Sequence, residues 1–488
     1  MSLSKSLFKQ TAIYGLATVL PRMLSFLLVR LYTDIMPKAE YGSITIVLSW
    51  MVFFNVILSY GMETSFFRFY NKEDDKKSVV QTTTISIFWS SILFLIFALL
   101  ARHSLAELAQ TSAIYISMAI CILVLDALAI VPFSKLRVEQ KPIKFAFIKI
   151  GNVVINLFLN FFFLLLLPKL ATNYPSSFFN FIYIENFQVG YIFMANLLAS
   201  LLTLLVFMPS YFQLKWQFNK QLWQQMLNYG WPILFAGLAF GINEHFDKIL
   251  LGRLLPENIA KSEVGTYAAC YKLGLFMVLF RTAFTLGIEP FFFSHAKNEN
   301  APQTYAAITK YFVIFGSIIL LVVIVFAELL KQILIPNPEY WAAMKVVPLI
   351  ILANFCLGIY TSLSVWYKLI DKTKIGAYIS IIGATITLII NYLLIPHYSY
   401  MGSAIATLAA YGTMMSISYF LGQKKYPIPY DIPRISGYLI MSITLSGLVF
   451  YVPFLRQNFI FGVLSILIFG YFVYYNEKDF LLKILKRK

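Results

Sequence analysis

The stretch Tyr229–Arg253 reads YGWPILFAGLAFGINEHFDKILLGR, an apolar run that nonetheless carries Asn243, Glu244, His245, Asp247 and Lys248. Roughly 20 residues at 1.5 Å each cross the hydrocarbon of a bilayer, so the run is long enough to span one. At about 100° per residue, Asn243, Glu244, Asp247 and Lys248 share one face about 140° wide, with Glu244 and Lys248 in the favourable i to i+4 order. Carboxylates so placed can titrate or coordinate a small cation. The competing use is a structural ion pair, such as Glu244 with Lys248, locking two helices together. Either way the face must line protein or water.

Other ionisable groups sit in apolar runs. Arg22 follows Pro21 near the middle of the first run, and Arg30 comes eight residues later, about 80° around a helix, so both can face one cavity. Glu63 and Arg68 close the second run, Asp126 lies in the fourth, Lys149 in the fifth, and Lys272 and Arg281 in the eighth. Lys272 and Arg281 point to opposite faces of a straight helix unless Gly274 bends it. For Arg30, Arg68 and Lys149 the alternative use is snorkelling or pairing near an interface, with Asp126 the natural partner of Lys149.

The elements that must position these groups are membrane helices. The chain has 488 residues, 59% of them hydrophobic and 12% charged, with mean hydropathy +0.74. Apolar runs recur throughout, which predicts a polytopic all-α membrane protein of about fourteen transmembrane helices. The net charge of +17 raises the question of nucleic acid. With the N-terminus cytoplasmic, about 25 Lys/Arg fall in the tails and even-to-odd loops against about 8 in the opposite loops, so topology accounts for the charge and nucleic acid is not an expected partner. Both termini are then cytoplasmic, and NKEDDKKS, SKLRVEQKPIK and KLIDKTK are cytoplasmic loops. Cys121, Cys270 and Cys356 lie in apolar runs without disulfide or metal-ligand spacing and read as packing residues. Lys5 and Lys9 precede an apolar run with no cleavage pattern, so the first helix is expected to be retained.

An internal repeat organises the chain. Tyr14-Gly15 opens the first helix as Tyr229-Gly230 opens the seventh; Tyr41-Gly42 matches Val264-Gly265; Lys135-Leu136 matches Lys368-Leu369; Asn156 and Gly190 match Asn391 and Gly402. Their common order, at offsets of roughly 210 to 235 residues, sets helices one to six against seven to twelve. Six is even, so both halves insert the same way up about an axis along the membrane normal. The expected division is 1–216 for the first six-helix lobe, 217–425 for the second, and 426–488 for two additional helices and a basic tail.

The segments YGLATVLPRMLSFLLVRLYTDIMPKAEYGSITI (14–46), LSYGMETSFFRFY (58–70) and NYLLIPHYSYMGSAIATLAAYG (391–412) carry a resemblance. In the last, a helix is expected to end at Pro396, with Gly402 and small residues after it permitting close helix contact. On these segments the chain resembles the multidrug/oligosaccharidyl-lipid/polysaccharide (MOP) exporter superfamily, and within it the Wzx-type polysaccharide flippases. The resemblance implies a MATE/MurJ-like pair of lobes around a cavity open to each side in turn. It implies translocation of undecaprenyl-pyrophosphate-linked oligosaccharide across the bacterial inner membrane, for surface polysaccharide such as O-antigen.

That substrate needs a wet, cationic path, because bare transfer of a pyrophosphate and its sugar hydroxyls through lipid costs many kcal/mol. Arg22, Arg30, Lys248 and Lys272 are the candidates for the pyrophosphate contact, arginine being favoured because its fork matches phosphate oxygens. Asp126, Glu244 and Asp247 are the candidates for ion coupling or gating. No catalytic residue, metal or organic cofactor is expected, with room only for Na⁺ or H⁺ as coupling ion. An inside-negative potential already favours outward movement of an anion by about 2.3 kcal/mol per charge per 100 mV. Expected partners are the lipid-linked substrate, membrane lipid and other polysaccharide-assembly proteins, around a monomer. Among the aromatics, 46 Phe, 31 Tyr and 7 Trp, most belong to lipid-facing belts.

The alternatives are a lipid II-type flippase, which shares the same physics, and a cation-coupled multidrug exporter, which would want carboxylates rather than the surplus of intramembrane cations found here. An enzyme acting on such glycolipids should need a site outside the bilayer. The longest external stretch, near 169–186, offers Lys169 and Glu185 but no motif of catalytic spacing.

Overall fold

The computed structural model describes residues 3–176, 178–294, 299–370, 372–456 and 459–485. The basic tail expected at the C-terminus has its side chains outside the described residues. Among the described residues every regular element is helical. The long helices are α1 (Leu3–Ile35), α2 (Lys38–Ser59), α3 (Lys76–Leu100), α4 (Ala113–Val138), α5 (Pro142–Phe161), α6 (Gln188–Phe212), α7 (Lys220–Leu254) and α8 (Glu257–Tyr271). They continue as α9 (Leu275–Ser294), α10 (Ala301–Val325), α11 (Val347–Leu363), α12 (Lys374–Tyr398), α13 (Tyr400–Lys425), α14 (Ile432–Tyr451) and α15 (Phe459–Leu485).

Thirteen spans among the described residues are long and apolar enough to cross a membrane. α7 is not among them, because its polar residues lower its hydropathy, but its 35 residues exceed the length required. The sequence expectation of about fourteen transmembrane helices is met by thirteen such spans among the described residues, with α7 at the place of the expected seventh. The protein is a multi-pass membrane protein.

Local chemistry sets the helix ends. Asp75 accepts a bond from the Ser78 N–H (3.1 Å) to start α3, and Asn219 one from the Leu222 N–H (3.0 Å) to start α7. The second span is broken at Tyr60 and Gly61, both left-handed, before helix resumes at Met62–Lys72. Only glycine fits the second position: a Cβ on Gly61 would stand 2.2 Å from the Gly230 carbonyl oxygen of α7. One expected boundary shifts. Pro396 does not end its helix; α12 runs through it to Tyr398 and stops where Ser399 takes φ 48°.

The contacts form two compact units, Met1–Gly265 and Thr266–Lys488. In the first, α4 packs on α6, α1 on α5, and α7 on α2 and on the helix Met62–Lys72. In the second, α12 packs on α13, α11 on α13, and α10 on both α14 and α15, so the trailing pair is built into this unit. The packing boundary falls inside α8. The division at 216 and 425 concerns the repeat, which is a different partition from the one made by contacts.

Candidate functional site

The polar face of α7 is buried. Asn243, Asp247 and Lys248 are each less than a tenth exposed, while Glu244 and His245 are half-buried. A line of glycines makes room on this helix: a Cβ at Gly237 would stand 3.0 Å from Val56, one at Gly241 3.5 Å from Phe53, and one at Gly252 2.8 Å from Ile46, all three on α2. With the backbones this close, the polar side chains are held in protein rather than lipid. The Lys248 ammonium donates to both carboxylate oxygens of Asp247, at 2.9 and 3.1 Å, and the Lys248 N–H donates to Asp247 Oδ1 at 2.9 Å. Glu244 offers Lys248 its backbone carbonyl at 3.5 Å. The lysine therefore takes the carboxylate of its sequence neighbour, a pairing the i to i+4 spacing of Glu244 does not anticipate.

Arg22 and Arg30 lie on α1, both exposed. Pro21 cannot donate within the helix, and one turn on the Ser25 hydroxyl donates to the Arg22 carbonyl at 2.6 Å. Arg22 lies inside the apolar span Gly15–Ile35, where a guanidinium turned to lipid would cost several kcal/mol. Arg30 sits within about 8 Å of the end of α1, close enough to reach the interface by extending its stem. Arg68 stacks on the Tyr229 ring at 4.2 Å, which joins Met62–Lys72 to α7 and removes it from the candidates for a mobile anion contact.

Asp126 stands at the midpoint of α4, exposed, and accepts a hydrogen bond from the buried Ser200 hydroxyl of α6 at 2.7 Å. Lys149 makes no contact pair with it. The ammonium lies 4.9 Å over the Phe133 ring and acts on Asp126 only through space. Around Asp126 runs a seam of amides that its lone charge did not announce. Asn152, Asn156 and Asn160 recur at i, i+4 and i+8 along one face of α5. Asn152 donates to Thr203 (2.9 Å), Asn156 donates to Asn196 (2.6 Å), and Asn160 donates to the Asn156 side chain (2.8 Å) while accepting from the buried Tyr32 hydroxyl of α1 (2.8 Å). The spacing of the three asparagines was the available signal. Asn156 alone stands out in the repeat.

In the second unit, Lys272 opens a 3-10 turn, Lys272–Gly274, that separates α8 from α9. The helix breaks where Gly274 was expected to bend it, and a Cβ there would stand 2.6 Å from Ile350 of α11. Lys272 and Arg281 therefore stand on different helical segments. Asn391 is fully buried on α12 and donates to the Thr387 carbonyl at 2.7 Å. A Cβ on Gly402 would stand 2.7 Å from the Leu394 backbone, so this glycine permits the α12–α13 hairpin to close, as its motif predicts.

A second buried charge cluster was not read from the sequence. Lys310 of α10 donates to both oxygens of Glu477 of α15, at 2.8 and 2.7 Å, and Tyr438 of α14 donates to the same carboxylate at 3.0 Å. Arg434 lies 3.6 Å from it. The cluster ties both trailing helices to α10.

A sequence model of the family described as "Polysaccharide biosynthesis protein" matches residues 7–279, and the MatE model matches residues 232–393. No curated protein sequence matches the chain. Among solved structures, the chain is similar to the lipid II flippase MurJ in an inward closed conformation, at 14% identity, TM-score 0.73, covering 95% of this chain and 99% of that one. It is similar to an inward-facing MATE multidrug resistance transporter of the MOP superfamily, at 14% identity, TM-score 0.63, covering 88% and 96%. It is also similar to the Vibrio cholerae MATE transporter VcmN, at 18% identity, TM-score 0.55, covering 87% and 97%.

Proposed function

Because the chain belongs to the polysaccharide biosynthesis protein family of the MOP superfamily, we propose that it translocates undecaprenyl-pyrophosphate-linked oligosaccharide from the cytoplasmic to the outer leaflet of the bacterial inner membrane by alternating access. The family and the similar solved structures support a membrane transporter rather than a catalyst. The observation that carries the finer reading is the match of the polysaccharide model over residues 7–279, the part of the chain that holds Arg22, Arg30, Asp126 and the α7 face. In this reading Arg22 meets the pyrophosphate first, its exposed fork offering paired donors to two phosphate oxygens. Arg30 and Lys272 are secondary contacts.

Lys248 is engaged by Asp247, so its part is exchange: an arriving anion competes with the Asp247 carboxylate for the ammonium, or a coupling Na⁺ or H⁺ competes with the ammonium for the carboxylate. Glu244 shares the same face. Asp126 is the stronger ion candidate, because it stands at mid-span with a hydroxyl donor from Ser200, on the α6 helix whose Asn196 and Thr203 join the amide seam of α5. The termini lie in the cytoplasm, the protein works as a monomer, and other polysaccharide-assembly proteins consume its product.

Deleting the gene tests this reading. The expected result is loss of surface polysaccharide with accumulation of a lipid-linked oligosaccharide on the cytoplasmic leaflet. Accumulation of lipid II with surface polysaccharide intact would transfer the assignment to a peptidoglycan precursor.

A further inference from the structure

At one end of the first unit, three chain turns far apart in sequence enclose a cavity of about 860 Å³. They are the turns joining Met62–Lys72 to α3, α4 to α5, and α6 to α7. Five lysines line it, Lys76, Lys77, Lys135, Lys215 and Lys220, against two carboxylates, Asp75 and Glu139, a net of +3. Both carboxylates already have partners, and Glu139 offsets Lys135 within the lining. Asp75 caps α3 through the Ser78 N–H, and Glu139 binds the Lys141 ammonium at 2.6 Å with Lys135 at 3.8 Å. Lys77, Lys215 and Lys220 have no carboxylate within ion-pairing distance among the described residues.

Topology accounts for lysines in these loops, since all three are of the even-to-odd class. It does not account for what lies between them. Gln81, Gln213, Gln217, Gln221 and Asn219 also line the cavity. Amides both donate and accept, which suits hydroxyl groups, and they carry no charge for a topology signal. The first turns of α3 and α7 open onto the same space, adding the positive ends of two helix dipoles. A volume in the range of small-molecule sites, an uncompensated positive field and a rim of amides describe a receptor for an anion that carries polyhydroxyl groups.

We propose that this cup is a recognition site for the phosphate-bearing headgroup of a membrane lipid, held at the end of the first unit before translocation. Two lipids present that chemistry: the pyrophosphate-linked saccharide of the proposed function, in which case the cup is its loading site and the inference rests on that reading, or an anionic phospholipid of the bilayer.

The test uses the full-length protein purified in detergent and titrated with inorganic pyrophosphate. The combined variant Lys77→Gln, Lys215→Gln, Lys220→Gln is compared with a control in the other unit carrying Lys372→Gln and Lys374→Gln, at the start of α12, and Lys424→Gln, in the last turn of α13. The expected result is binding that weakens with salt and falls at least about tenfold in the combined variant, with the control unchanged. Equal binding in wild type and combined variant, or an equal loss in the control, overturns the proposal. If the combined variant does not accumulate, each single substitution is expected to weaken binding about threefold, and no change in any of them overturns it. Competition by micelles containing phosphatidylglycerol, but not phosphatidylcholine, assigns the cup to bilayer lipid; pyrophosphate binding that persists against both assigns it to the diphosphate. No transport enters the assay, so it can succeed where the translocation reading fails.

Discussion

Gly42 and Gly265 face each other across the crossing of α2 and α8, and each is sealed by the other helix's backbone. A Cβ on Gly42 would stand 1.8 Å from the Lys261 carbonyl oxygen, and one on Gly265 would stand 2.0 Å from the Lys38 carbonyl oxygen. Tyr41-Gly42 and Val264-Gly265 are one of the dipeptide pairs matched in the sequence.

Either glycine to alanine forces the two backbones apart. The expected cost is about 1 to 3 kcal/mol, the usual range for overpacking. Gly412→Ala on α13, where a Cβ meets nothing within 4 Å, is the matched control. Thermal unfolding of the purified variants is expected to show a lower midpoint for Gly42→Ala and Gly265→Ala and an unchanged one for Gly412→Ala.

Asp247 and Lys248 make a buried pair that loses its balance when one partner goes. Asp247→Ala removes the carboxylate that accepts from the buried Lys248 ammonium with both oxygens and is expected to destabilise by about 3 to 5 kcal/mol. Replacing both with leucine is expected to restore most of that stability, because well-packed apolar residues substitute for buried pairs at little cost. The same double variant is expected to remain inactive in translocation, which separates the exchange role proposed for the pair from a purely structural one.

Lys310 and Glu477 hold the trailing helices to α10. Lys310→Met leaves the Glu477 carboxylate buried with Tyr438 and the more distant Arg434, and a loss of about 3 kcal/mol is expected. Limited proteolysis is the direct readout, since detachment of α14 and α15 exposes the Lys424–Ile432 connection to cleavage.

Much of this was legible in the chain. Polar residues inside an apolar run marked the α7 face, Gly274 marked the break before α9, and Gly402 marked the tight hairpin. Each of these signals is local. The rest was not local. Lys310 and Glu477 are 167 residues apart, and Glu477 stands in an Asn-Glu-Lys-Asp sequence of α15 whose buried partners, Lys310 and Tyr438, come from two other helices. The three asparagines of α5 had helical spacing, but their partners Tyr32, Asn196 and Thr203 come from two other helices. Pro396 misled because a proline near a helix end need not stop it when the neighbouring helix packs against the last turns.

Glu328 gives the account a pH dependence outside the membrane spans. Burial pushes its carboxyl up, but hydrogen bonds from Lys331 and Arg456, and their charges, outweigh burial and hold it below the usual carboxylate range. A depressed acid contributes stability that is fully present above its unfolded value, near 4.5, and lost as pH falls through the lower folded value. Wild type is therefore expected to lose thermal stability more steeply below pH 4.5 than Glu328→Gln, and unfolding midpoints across that range check it.

The proposed function requires that the protein move a pyrophosphate-linked saccharide lipid across a bilayer with Arg22 as its principal anion contact. Purified protein in liposomes containing a polyprenyl-pyrophosphate-linked oligosaccharide, with transbilayer movement read by accessibility of the sugar to an external glycosidase, measures this directly. Protein-dependent movement is expected in the wild type, and its loss in Arg22→Ala at equal reconstitution. Wild-type liposomes that translocate no faster than protein-free ones, or Arg22→Ala liposomes that match the wild type, would contradict it.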